Sequence, residues 1–305
     1  MTNKEALQKL KDISNKLQTV DYSEIVFTIK SSIKKVPIPL AKLRQKTPVD
    51  RARINGGEKL FTKVDQLNYI TDKSIIDNYM KEYGRANKPH QPMFYGAVES
   101  TLLGKQRATA LYEISKLLQD RNSVNIPGEL YTVSRWKNKE ELMLAEIVFA
   151  KEAIKTNPDT KRAFNKQVEL AKQLNLPDID FYMDMLIFFS EEFAREKRTH
   201  HDYKISNAYT ELILTHPDVQ GISYPSVPTK FMGQNVVFSP QVIDNFFTIE
   251  TLVTQRVHKN AGYVFVNNHK NCENPQNDPN NLVWVDVDPK HIASWEKIKQ
   301  SLKIN

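Results

Sequence analysis

Apolar residues recur at helical spacing in several stretches of the chain. Near the N-terminus they lie three or four residues apart at Leu7, Leu10, Ile13 and Leu17, which predicts an amphipathic helix. The same spacing predicts helices over residues 105–119, 140–155, 160–174, 180–195 and 205–215. The apolar stripe of the N-terminal helix needs burial, either on its own domain or on a second protein, and both alternatives are open at this point.

Short runs rich in β-branched and aromatic residues separate these helical stretches. They predict strands over residues 93–98, 130–135 and 235–239. Helix and strand signals alternate along the chain, and no internal repeat is visible. We therefore expect a mixed α+β fold with helices inserted between strands, including a long helical segment over about 137–200.

The composition is that of a globular protein with an excess of basic residues. The chain has 305 residues, 40% of them hydrophobic, and a net charge of +7, so that it can bury a substantial core. Basic residues cluster near the N-terminus at Lys30, Lys34, Lys35, Lys42, Arg44 and Lys46. Because no nucleic-acid-binding motif accompanies this cluster, we expect a solvated basic arm, and the charge also favours small polyanions.

Several kinds of site are disfavoured by what the sequence lacks. Cys272 is the single cysteine, which excludes a disulfide framework and a multi-cysteine zinc site. His200, His201 and Asp202 are adjacent, so they do not point in one direction from a helix, and we expect no metal site. The sequence has no Gly-rich phosphate loop or dinucleotide fingerprint. Residues 1–20 form no apolar leader, and residues 181–193 are too short and too acidic to span a bilayer, so we expect a cytoplasmic protein.

Side chains that suit chemistry on a dinucleotide occur in separate short motifs. They are Arg51, Arg53, Arg85, Asn87, Tyr95, Glu113, Tyr224 and Ser226. The planar guanidinium of arginine binds phosphate oxygens bidentately, so that two arginines suit one pyrophosphate, and a tyrosine ring can stack on a flat base. A carboxylate stabilises the positive charge that develops on a sugar when its glycosidic bond breaks. Ser226 lacks the Gly-x-Ser-x-Gly elbow of an acyl-transfer nucleophile.

Six segments occur in the order and character of one known family. They are DRAR (50–53), YGRANKPHQPMFYGA (83–97), ALYE (110–113), VSRW (133–136), HDYKISNAY (201–209) and DVQGISYPSV (218–227). In these segments, over about residues 48–245, the chain resembles the RES-domain family, named for an arginine, a glutamate and a serine. The resemblance implies a fold like that of ADP-ribosyltransferases and an activity that degrades NAD. Many members of the family are bacterial toxins paired with a helix-turn-helix antitoxin.

The resemblance assigns roles to the arginines, the tyrosine and the serine. The first arginine of the family falls on Arg51, with Arg53 as the alternative, and the second falls on Arg85. Its tyrosine falls on Tyr95, whose ring is then a wall for nicotinamide, and its serine falls on Ser226. The arginines would bind the pyrophosphate of NAD.

The glutamate of the family has two candidates, Glu113 and Glu99. The chain places more residues between Tyr95 and Glu113 than the family usually has there, which implies an insertion near 100–107. We favour Glu113, because the family's glutamate is helical and has a small residue a few positions before it. Asn87 and Tyr224 adjoin the matched positions, and we include both among the residues that contact NAD.

The sequence thus predicts an α+β, ADP-ribosyltransferase-like mixed β core with a helical N-terminal arm and a helical insertion. Residues 1–47 form the amphipathic helix and basic arm, residues 48–245 the RES-like NAD-binding domain, and residues 246–305 an extension packed on the same domain. The expected activity is cleavage of the nicotinamide–ribose bond of NAD, the substrate, without a metal. The alternatives are a protein ADP-ribosyltransferase and a non-enzymatic basic module that binds nucleic acid or another protein. The expected partners are an antitoxin or regulatory protein, or a second copy of the chain.

Overall fold

The structure, a computed structural model, describes residues 2–32, 38–196 and 198–304. Its strands are β1 (Leu40–Leu43), β2 (Pro48–Ile54), β3 (Phe94–Val98), β4 (Val124–Asn138), β5 (Leu142–Glu146), β6 (Gly221–Pro225), β7 (Gln234–Phe238), β8 (Phe247–Asn260), β9 (Tyr263–Cys272) and β10 (Trp284–Asp286). Over the described residues these ten strands form one sheet in the order β1-β5-β6-β7-β3-β2-β4-β8-β9-β10. β5 and β6 are parallel, and the other neighbouring strands are antiparallel.

Eleven α-helices accompany the sheet in the described part of the chain. They are α1 (Asn3–Ser14), α2 (Tyr22–Ser32), α3 (Lys73–Tyr79), α4 (Gln106–Ile114), α5 (Lys116–Gln119), α6 (Lys151–Thr156), α7 (Pro158–Gln173), α8 (Ile179–Ala194), α9 (Lys204–Ile213), α10 (Pro240–Phe246) and α11 (Trp295–Ser301). The mixed α+β class is therefore confirmed, as are the helices expected over 160–174, 180–195 and 205–215. The helix expected over 105–119 is two helices, because the Ser115 side chain caps the second one by accepting from the Leu118 amide.

The helix expected over 140–155 is wrong in its first half. Residues 142–146 form β5, which lies between β1 and β6, and the helical part of this segment begins only at α6. A short apolar run fits a buried strand as well as a buried helix, and the neighbouring strands decide which of the two forms. The helices between β5 and β6 consequently begin at Lys151, and residues 137–138 and 142–146 belong to strands of the sheet. Sequence reasoning also missed α2 and β1, while Lys34 and Lys35 of the basic cluster lie outside the described residues.

The larger core joins one face of the sheet to the helices α1, α2, α8 and α9. Leu10 of α1 belongs to the same buried cluster as Phe189 of α8 and Val237 of β7. Phe189 also stacks on Tyr209 of α9, with ring centroids 3.8 Å apart. Since Leu7, Leu10, Ile13 and Leu17 are all buried in this cluster, the stripe of the N-terminal helix packs on its own domain.

Side chains alternate along β3, so that the opposite face of the sheet has a core of its own. Phe94 packs there against Trp136 and Phe238, while Tyr95 packs against the larger core. α4 covers the face that carries Tyr95, and its Ala110 and Leu111 pack with Ala52 of β2, Ala97 of β3 and Val133 of β4.

The central strand β2 is paired very differently on its two sides. With β4 it runs in register from Pro48 to Ile54. With β3, among the described residues, it is paired at Asp50–Ala97 alone. Beyond that pair β2 and β3 diverge, and the sheet is open between Arg51 and Tyr95 beneath α4.

Candidate functional site

A cleft lies where β2 and β3 diverge. Its lining residues are Asp50, Arg51, Ala52, Tyr95, Gly96, Ala110, Glu113, Ile114, Tyr224 and Asn235. Four of the residues expected from the sequence, Arg51, Tyr95, Glu113 and Tyr224, therefore meet in one place. The enclosed space measures about 70 Å³. That is the volume of roughly two water molecules, so a ligand as large as a dinucleotide would have to extend beyond this enclosed part.

Arg51 bridges the two diverging strands. Its Nη1 donates a hydrogen bond of 2.7 Å to the carbonyl oxygen of Tyr95, and its guanidinium carbon lies 5.3 Å from the centroid of the Phe94 ring. Within the described part of the chain, its buried Nε has no hydrogen-bond partner and no carboxylate forms an ion pair with it. Burial, reinforced by the charge of Arg53, lowers the pKa of Arg51 to about 9. A partly buried cation without a counter-ion loses part of its hydration, and it favours an anionic ligand.

The carboxylate of Glu113 is held in place by Asn235 of β7. Nδ2 of Asn235 donates a hydrogen bond of 2.6 Å to Oε1 of Glu113. Asn235 is itself buried and lies opposite Tyr224 in the register of β6 and β7. Burial and, after it, the negative charge of Glu113 raise the pKa of the Tyr224 hydroxyl. Glu99, the alternative to Glu113, is exposed and lines a separate depression with Glu146 and Asp159.

The Tyr95 hydroxyl fixes the turn that carries Arg85. It donates to Oδ1 of Asn87 at 2.6 Å and accepts from the amide of Ala86 at 3.1 Å. The turn closes between Gly84 and Asn87, and a Cβ atom on Gly84 would lie 2.0 Å from Oδ1 of Asn87, so a larger residue there would displace the Asn87 side chain from its bond with Tyr95. Burial raises the pKa of Tyr95 well above its ordinary value. Asn87 therefore acts on the cleft through Tyr95 and does not line it.

The Arg85 guanidinium adjoins the cleft without lining its enclosed part. Its central carbon lies 6.0 Å from the ring centroid of Tyr224, which does line the cleft, and 4.9 Å from that of Tyr203. Nη2 donates to the Tyr203 hydroxyl at 3.1 Å, and Nη1 donates to the carbonyl oxygen of Arg195 at 3.5 Å. The cation is thus held by aromatic faces and neutral oxygens.

Arg53 and Ser226 lie outside the cleft. Nη2 of Arg53 donates to the carbonyl oxygen of Asn68 at 2.9 Å, and burial lowers the pKa of Arg53. Ser226 follows β6 and is completely buried, with its Oγ accepting from the amide of Thr229 at 3.4 Å. Its hydroxyl stabilises the turn after β6 in this conformation. The geometry therefore favours Arg51 over Arg53 as the arginine of the cleft.

Sequence reasoning missed an ion cluster around the buried Asp50 at the paired end of the cleft. Both carboxylate oxygens of Asp50 accept from Arg135, Oδ1 from Nε at 2.7 Å and Oδ2 from Nη2 at 2.9 Å, and Nε of Arg107 lies 3.8 Å from Oδ2. The hydrogen bond to Asp50 raises the pKa of Arg135, whereas burial lowers that of Arg107. The three residues come from β2, β4 and α4, so no local pattern joins them. Asn235 was missed as well, although one polar residue inside an apolar strand was a usable signal.

The charges in and around the cleft favour an anion. Four arginines (Arg51, Arg85, Arg107 and Arg135) stand against the carboxylates of Asp50 and Glu113. A concave surface with excess positive charge attracts polyanionic ligands. Among the described residues, no three His, Cys, Asp or Glu side chains are grouped closely enough to hold a metal ion. In the same residues no helix has the length and apolarity to cross a membrane.

Comparison with known proteins adds no assignment to this geometry. No protein-family model matches the chain, and no curated protein matches its sequence. The resemblance to the RES-domain family therefore depends on the six segments and on the residues that they bring to the cleft.

Proposed function

We propose that the protein is an NAD-consuming enzyme of the RES type that cleaves the nicotinamide–ribose bond in the cleft between β2 and β3. One observation carries the proposal: a partly buried arginine without a carboxylate partner in the described part of the chain, Arg51, and an oriented carboxylate, Glu113, line the same cleft as two tyrosine residues. These four side chains come from four different elements of the fold. A cation for phosphate, a carboxylate for the sugar and flat faces for a base match the three parts of NAD.

Glu113 would act on the reacting sugar. When the bond between the anomeric carbon and nicotinamide breaks, the electron pair leaves with nicotinamide and positive charge develops on the ribose. A carboxylate already fixed by Asn235 stabilises that charge without having to reorganise. A nucleophile, whether water, phosphate or a protein side chain, then forms the new bond to the anomeric carbon and loses its proton.

The arginines would bind the pyrophosphate. The Nε of Arg51 has no hydrogen-bond partner among the described residues and could donate to a phosphate oxygen. The guanidinium of Arg85 lies beside the ring of Tyr224, which lines the cleft. One guanidinium group can bind two phosphate oxygens at once, so the two arginines together suit the two phosphates of a pyrophosphate. Tyr95 and Tyr224 have their hydroxyls buried, and their rings supply the walls against which nicotinamide would pack.

A test is to incubate purified protein with NAD and measure free nicotinamide. Arg85→Ala and Arg51→Ala should each lower turnover by about a hundredfold, because each removes one charged partner of the pyrophosphate. Arg121→Ala, at an exposed arginine between α5 and β4, is the matched control and should retain full activity. Full activity in both cleft variants would overturn the assignment.

The acceptor and the biological role need separate measurements. A candidate protein acceptor added to the assay distinguishes a protein ADP-ribosyltransferase, which labels that protein, from an enzyme that releases free product. An enzyme that consumes NAD inside its own cell has to be restrained by a partner such as an antitoxin. Expression in a bacterium should therefore lower cellular NAD with the wild-type chain and leave it unchanged with Arg85→Ala.

A further inference from the structure

Tyr203 occupies N–H groups of Arg85 that an anionic ligand would bind. Its hydroxyl accepts from Nη2 of Arg85 at 3.1 Å, and its ring covers the guanidinium at 4.9 Å. The carbonyl oxygen of Arg195 faces Nη1 at 3.5 Å. Phosphate oxygens bind arginine through these same N–H groups, so Tyr203 and a phosphate cannot both be bound to Nη2 in the same geometry.

The short 3-10 turn His200–Tyr203, which carries this tyrosine, has incompletely paired polar atoms around it. Among the described residues, Nδ1 of His200, Nδ1 of His201 and Nδ2 of Asn207 are buried without a hydrogen-bond partner. Buried polar groups lose their bonds to water, and each unpaired atom raises the free energy of this conformation. These unpaired atoms are a cost of the present position of the turn that a position exposing them to water would not carry.

Two hydrogen bonds and one aromatic contact hold the turn. The carboxylate of Asp202 accepts from the amides of Arg198 at 2.8 Å and Thr199 at 2.7 Å. The His200 ring stacks on Tyr83, with centroids 6.0 Å apart, just before the turn that carries Arg85. The segments that carry Tyr203 and Arg85 thus contact each other directly, and a shift of one changes the surroundings of the other.

We propose that Tyr203 is a gate on the anion site: its hydroxyl and ring hold Arg85, and a pyrophosphate-bearing ligand displaces them to bind. This inference rests on the proposed function for the choice of ligand. Arg85 adjoins the cleft beside Tyr224, so a ligand larger than the cleft's space of about 70 Å³ that extends past Tyr224 would meet the contact between Arg85 and Tyr203. Tyr203 is a positioning residue, because it acts through Arg85 and not on the reacting atoms.

Calorimetric binding of ADP, which carries the pyrophosphate but no nicotinamide, tests the gate without requiring catalysis. Tyr203→Phe keeps the ring and removes the competing hydroxyl, so ADP should bind about three- to tenfold more tightly than to the wild type. Tyr203→Ala should bind at least as tightly, with a faster association rate. Tyr263→Phe, at an exposed tyrosine of β9, is the matched control and should bind like the wild type. In the double variant Arg85→Ala/Tyr203→Phe the gain should vanish.

The opposite results would overturn the gate. Weaker ADP binding in Tyr203→Phe would make the hydroxyl part of the ligand site, and unchanged binding in both Tyr203 variants would make its contact with Arg85 irrelevant to anions. An absence of ADP binding in every variant, with folding confirmed by thermal melting, would also refute the proposal. If ADP binding tightens as expected but no nicotinamide is released from NAD, the gate stands and the proposed reaction fails. In an active enzyme Tyr203→Phe should lower KM for NAD and leave kcat unchanged, which a purely structural role would not do.

Discussion

β2 pairs with its two neighbouring strands to very different extents. Along the β4 edge the backbones are in register over the whole strand, from Pro48 to Ile54. Along the β3 edge, in the residues that the structure describes, the pairing is limited to Asp50–Ala97, after which the Arg51 side chain reaches the Tyr95 carbonyl that is not engaged in a strand pair with β2. A complete ladder satisfies the backbone by itself, whereas an interrupted one leaves polar groups that side chains or ligands must satisfy.

Within β2, the residue paired with β3 serves stability, and the residue next to it faces the candidate site. Asp50, which among the described residues is the one position of β2 paired with β3, is completely buried and holds Arg135 bidentately. Arg51, one residue later, is a partly buried cation whose buried Nε has no hydrogen-bond partner among the described residues. Unpaired polar groups and interrupted strand pairing occur in proteins mainly at functional sites. We therefore expect the ligand to bind at the open edge of β2 and the ion cluster at the paired end to stabilise the sheet.

The largest effect is expected at the open edge, from Glu113→Gln. The substitution keeps the size and helix propensity of the residue but removes the charge, so NAD turnover should fall on the order of a thousandfold. Binding of ADP should change much less, because the lost interaction strengthens in the transition state. Nicotinamide release under single-turnover conditions measures the first quantity and calorimetry the second.

Glu99→Gln is the matched control for this prediction. Glu99 is exposed beyond the end of β3 and lines the separate depression with Glu146, so its loss should leave turnover intact. If Glu99→Gln removed activity and Glu113→Gln did not, NAD would be cleaved away from the open edge of β2. The difference between the two edges would then be unrelated to catalysis.

A smaller effect, on stability, is expected at the paired end from Asp50→Asn. The substitution leaves Arg135 and Arg107 without their carboxylate, and the free energy of unfolding should fall by about 2–3 kcal/mol. We expect less than the full cost of breaking a fully buried pair, because both arginines retain partial exposure to water. Urea unfolding measures the change, with Asp77→Asn at an exposed position of α3 as the control. A loss as small as that of the control would show that the Asp50 cluster does not support the sheet.

The smallest effect is the pH dependence of anion binding. Below pH 9 Arg51 is charged and attracts ADP; as the pH rises through its pKa of about 9 the charge is lost, and affinity should fall by up to about tenfold per pH unit. The effect on stability has the opposite sign. The pKa of Arg51 in the folded protein lies below its ordinary value, so above pH 9 the unfolded chain binds more protons than the folded one, and the cost of burying the cation is relieved as the pH rises. Calorimetry between pH 7 and pH 10 should show the decline in the wild type. In Arg51→Gln, binding should be weak throughout and lack this decline.

The sequence by itself determined the elements with strong local signals. The apolar stripes in α7, α8 and α9 repeat over three turns or so, and such long periodic segments specify a helix with little help from their neighbours. It also supplied the residues of the cleft one at a time, since Arg51, Tyr95 and Glu113 each lie in a recognisable short motif.

Only the tertiary structure decided how these parts meet. Residues 142–146 form a strand because β1 and β6 lie on either side of them and pair with them. The divergence of β2 from β3 has no local sequence signal. The ion cluster joins Asp50, Arg107 and Arg135 across gaps of 28 and more residues, and Asn235 reaches Glu113 from a strand far along the chain. The physical reason is common to all of these features: pairing, burial and charge compensation depend on which elements become neighbours in space, and spacing along the chain does not encode that.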